Sequence, residues 1–183
     1  MAIQARPPAR TEGRPTRPPT PGERDGSGEV AGTLALYAAA ALGLTAAMIH
    51  LWVTPQHIAE WWGYGAFFLG CALAQGFGSV VLFRWPAQPL FLVGIAGNLA
   101  IAVLYVISRT WGMPVGPGLV PFSPSVAHLE SPDLLGMGAT AAELGLVVIL
   151  TALLKDSYRA RTINALLLAG AALWTLRFTG VLP

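Results

Sequence analysis

PLFLVGIAGNLAIAVLYVI, residues 89–107, runs for 19 residues without a charge and carries Asn98 as its only amide side chain. A helix of that length rises about 28 Å, close to the roughly 30 Å of a bilayer's hydrocarbon core. Backbone groups in lipid must hydrogen-bond within their own segment, so the run reads as a transmembrane helix. Working outward from it, four further apolar segments follow the same rule. The predicted spans are 30–53, 61–83, 89–107, 133–154 and 163–182. The expected fold is therefore an all-α integral membrane protein, a bundle of five transmembrane helices occupying residues 30–183.

Composition agrees. Charged residues make up 11% of the chain and apolar ones 54%, whereas soluble domains carry about 25% charge. Trp52, Trp61, Trp62, Trp85 and Trp111 fall at segment ends, where aromatic belts form. A formal charge of +2, scattered along the chain, gives no footprint for nucleic acid, so the expected environment is the lipid bilayer, with membrane-protein partners or further copies of the chain. Cys71 is the single cysteine; it can form no intramolecular disulfide, and its apolar setting suggests a packed thiol. Ten arginines to one lysine, with abundant Ala, Gly and Pro, hint at a high-GC bacterial genome. No internal repeat is visible, which counts against a simple inverted-repeat transporter.

Residues 1–29 hold no apolar period and are rich in Pro and Arg; they read as a disordered cytoplasmic tail. The tail arginines, Arg84 and the Lys155/Arg159/Arg161 cluster share one side if the N-terminus is inside. The positive-inside rule then predicts a protein of the bacterial cytoplasmic membrane, N-terminus inside and C-terminus outside.

That topology brings all three histidines to the outer face. Thr54-Pro55 resembles a helix start, which would set His57 and Glu60 on one face of the helix that follows. His128 lies in the loop 108–132, 25 residues with five prolines, expected to form an ordered outer cap. Imidazole with carboxylate is a ligand set for zinc, copper or iron, which makes His50, His57, Glu60 and His128 candidate metal ligands. The plain alternative is interfacial histidines bonded to loop carbonyls.

A second polar set lies deeper. Asn98 and Glu143 each sit about 15 Å below the outer helix ends, Gln75 somewhat deeper and Arg177 nearby. Asn98, Tyr105 and Arg109 share a helical face, as do Gly136, Thr140 and Glu143, and Gly43, Ala46 and His50. An unpaired charge facing lipid costs several kcal/mol, so these stripes should face the interior. An intramembrane carboxylate is a functional candidate by default; the structural alternative for Glu143 is an ion pair with Arg177.

The stretches His50–Gly65, Gly94–Leu99, Tyr105 with Arg109–Pro114, and Ala141–Leu144 resemble an uncharacterised polytopic membrane-protein family of actinobacteria and related high-GC bacteria. The resemblance covers helices 1 to 4, omits the tail and implies no activity. The expected function is a multi-pass membrane protein with a candidate metal-binding site at the extracytoplasmic end and an intramembrane centre at Glu143. The alternative is a non-catalytic accessory subunit of a larger membrane complex. No nucleophile motif, phosphate loop or haem-attachment sequence is present, so no reaction is named.

Overall fold

The structure, a computed structural model, describes residues 21–110 and 133–179. Five α-helices occupy them: α1 Pro21–Glu60, α2 Trp62–Arg84, α3 Gln88–Thr110, α4 Leu134–Leu153 and α5 Asp156–Phe178. Among the described residues four stretches are long and apolar enough to cross a membrane: Gly28–Glu60, Trp62–Arg84, Gln88–Thr110 and Leu134–Leu153. On α2 the exposed Trp62 and, just past its end, Trp85 lie about 34 Å apart, one at each edge of a hydrocarbon layer. The described residues are thus all-helical, with the make-up of a multi-pass membrane protein.

α1 departs from expectation at both ends. It begins at Pro21, inside the segment read as tail, and continues through Pro55 to Glu60. Pro55 starts no new helix, and Thr54 caps none. The Thr54 hydroxyl instead donates back to the His50 carbonyl at 2.7 Å and is buried. Proline inside a spanning helix is tolerated where the surroundings re-satisfy the freed backbone. The chain reverses at Trp61 alone, in extended conformation. Gly65 makes that corner possible, since a Cβ there would collide with the Ile58 side chain and its Cα.

α1 packs against α2 and α4, and α4 packs against α3, whereas α2 and α3 meet only sparingly. Ala39, Leu82, Phe91, Ile95, Leu146, Val147, Leu150 and Leu154 form the apolar core. Close approach is bought at Gly43, where a Cβ would strike the Ser79 side chain. Hydroxyls within the spans bond to their own helices: Ser79 to the Gln75 carbonyl, Thr151 to Val147 and Ser108 to Tyr105. This is how polar side chains are accommodated where water is excluded.

α5 lies where the fifth span was expected. It is not one of the four long apolar helices, it buries none of its residues, and among the described residues it meets only α4. The segment 155–162, read as a loop, is instead the helix start carrying Asp156, Arg159 and Arg161. Residues 1–20 of the expected tail, residues 111–132 of the expected cap and the end of the last expected span lie outside the described residues.

Candidate functional site

Each of the four apolar helices contributes one buried polar side chain to a single cluster: His50 from α1, Gln75 from α2, Asn98 from α3 and Glu143 from α4. They meet because they lie at similar depth. His50 is ten residues before the end of α1, Glu143 nine after the start of α4, and Gln75 and Asn98 twelve or thirteen from the corresponding ends. All fall about 14–20 Å from the same end of the bundle.

Glu143, 1% exposed, is the hub. Its Oε1 lies 2.8 Å from His50 Nε2 and accepts an N–H from Gln75 Nε2 at 3.0 Å. The other Gln75 N–H goes to Asn98 Oδ1 at 3.1 Å, and Asn98 Nδ2 donates to the Gly94 carbonyl at 2.7 Å. A carboxylate in a low-dielectric interior is tolerable only with such donors. Two buried atoms here take no hydrogen bond: His50 Nδ1 and Gln75 Oε1. With Glu143 ionised, His50 donates its Nε2–H, which leaves Nδ1 as a free acceptor.

A cavity of about 80 Å³ leads from the end of the bundle down to this cluster. Its walls are mostly apolar (Val53, Phe67, Ile101, Leu104), with His50 and Glu143 at the floor and Tyr105, Ser108 and Thr140 along one side. That volume has room for roughly five to eight waters. At the mouth, Arg109 Nη2 pairs with Asp133 Oδ2 at 3.0 Å while its guanidinium lies over the Tyr105 ring at 4.8 Å. Asp133 also caps α4, accepting the Gly136 N–H at 2.7 Å. Gly136 fits this junction because a Cβ would come within 2.7 Å of Tyr105 Cε2.

The two residue sets read from the sequence separate differently from expectation. Glu143, Asn98 and Gln75 come together, but Arg177 does not join them: it is exposed on α5, and His50 stands beside Glu143 instead. His50 therefore belongs to the deep centre and not to the surface group. His57 pairs with Glu60 at 3.0 Å and stacks on Phe68, centroids 4.1 Å apart. The His50 ring also touches Phe68, at 5.6 Å. His128 lies outside the described residues. Among the described residues no three His, Cys, Asp or Glu side chains gather as a metal site. Phe68 and the His50–Glu143 pair escaped sequence reasoning. Extending α1 through Pro55 would have placed His50 at the depth of Glu143.

Set against known proteins, the chain matches no protein family, no curated protein and no solved structure.

Proposed function

We infer that this chain is a multi-pass protein of the bacterial cytoplasmic membrane, N-terminus inside, which binds and releases a proton at the His50–Glu143 pair. The observation that carries the reading is the pair's position at the floor of a cavity large enough for water. A proton arriving at His50 Nδ1 lets the Nε2–H pass to Glu143 Oε1, so the pair gains one proton and water loses one. Gln75 holds the carboxylate in place through either state, because Oε1 accepts its N–H in both. Intramembrane carboxylates that face a bundle interior mark proton or substrate pathways. Infrared difference spectroscopy across pH tests this directly. A carboxyl C=O band that titrates in the wild type and vanishes in Glu143→Gln is expected; no such band would overturn the reading.

Two specific observations favour other uses of the same chain. His57 and Glu60, 3.0 Å apart, would give a zinc, copper or iron ion two ligands, with His128 as a third. Stoichiometric metal in the purified protein, lost in His57→Ala, supports that site; metal-free protein rejects it. α5 presents Leu167, Leu168, Trp174 and Phe178 uncovered, as a fifth span against lipid or an accessory subunit docked on a larger complex would.

A further inference from the structure

A second cavity, about 180 Å³, lies on the opposite side of the same hydrogen-bonded layer. It occupies the gap where α2 and α3 splay, and of its rim residues Ala74, Val93 and Gly97 are exposed and Gly78 is half-buried. Added Cβ atoms at Gly78 and Gly97 would meet nothing within 4 Å. The opening is therefore lateral, toward the lipid that surrounds a spanning helix.

The lining selects the occupant. Its walls are Leu82, Leu90, Val93, Ile101, Leu146 and Leu150, and it carries no charged residue. A charged ligand at this depth would cost several kcal/mol. Gln75 lines the cleft, is 7% exposed, and keeps its carbonyl Oε1 without a hydrogen bond, so the polar contact on offer is an acceptor. Gln75 lies about 20 Å from the Trp62 end of α2 and about 14 Å from the Arg84 end. A bilayer phospholipid anchors its head at the interface and cannot set a donor there.

We propose that the cleft between α2 and α3 binds a neutral, membrane-dissolved lipophile, an apolar body bearing a hydroxyl donor, with the hydroxyl on Gln75 Oε1. The apolar body lies along Gly94, Gly97 and Leu150, and the head sits one hydrogen bond from Glu143 through the Gln75 amide. The site goes beyond the proton reading and does not need it: a Glu143 that never titrates leaves the cleft and its acceptor intact.

The test uses the full chain in phosphatidylcholine nanodiscs with a long-chain alcohol carrying a diazirine, and mass spectrometry to locate the label. Label is expected on α2 and α3 around residues 74–82 and 90–101. The unlabelled alcohol should displace it, and the alkane of equal length should do so about tenfold less well. Gly97→Leu should fill the cleft and abolish the label there, while Gly70→Leu, on an exposed part of α2 away from it, should not. Label spread evenly over the lipid-facing helices, or equal competition by alkane and alcohol, overturns the proposal even if Gly97→Leu fails to fold. So does a disulfide between cysteines placed at Gly97 and Ala169 in a Cys71→Ala background, which would show α5 seated in the cleft.

Discussion

Glu143 holds its place through donors, and substitutions there separate shape from charge. Glutamine keeps an acceptor for the Gln75 N–H and can donate to His50, so Glu143→Gln should cost less than about 1.5 kcal/mol. Glu143→Leu strands the Gln75 amide and the imidazole together and should cost about 3 kcal/mol or more. Thermal melts in detergent compare the two; equal losses would show that the hydrogen bonds to Glu143 carry no stability. Gly136→Leu should destabilise by about 1–3 kcal/mol, because its side chain must displace Tyr105 or break the Asp133 cap.

At the scale of elements, α1 shows what was legible and what was not. Apolar length exposed α1 to α4 directly, because hydrocarbon thickness sets a length that apolar runs must meet. Depth counting then put Asn98 and Glu143 at nearby depths, with Gln75 somewhat deeper and Arg177 wrongly beside them. Local chemistry misled at Thr54-Pro55: a hydroxyl before a proline looks like a cap, yet here the hydroxyl bonds back to His50. Ending the helix there placed His50 at the surface, so the partner of Glu143 was sought on α5. Arg177 filled that role on paper because a spanning α5 would have brought it to the right depth; nothing in the sequence says whether α5 packs. The continuity of α1 is testable. Pro55 has no N–H for the Leu51 carbonyl, so Pro55→Ala should complete the turn and raise stability by about 1–3 kcal/mol. A fall in melting temperature would mean that Pro55 starts a separate helix.

For the whole molecule, four spans return the chain to the side on which it began. With the N-terminus inside, Arg84 and the Lys155/Arg159/Arg161 cluster lie in the cytoplasm beside the tail arginines, as the positive-inside rule asks. The cavity above Glu143 then opens outward, and the lateral cleft lies in the inner half. The polar layer of His50, Gln75, Asn98 and Glu143 lies between the cavity and the cleft, and the proton reading depends on the cavity being reached from outside. Thr140 lines that cavity one turn above Glu143. The most direct measurement is the reaction of Thr140→Cys, in a Cys71→Ala background, with a small membrane-impermeant thiol reagent on intact cells. The account expects labelling from outside, while Leu146→Cys, in the buried core below, stays unlabelled. A Thr140→Cys that is inert, or that reacts only after lysis, would contradict an outward-facing water path to Glu143.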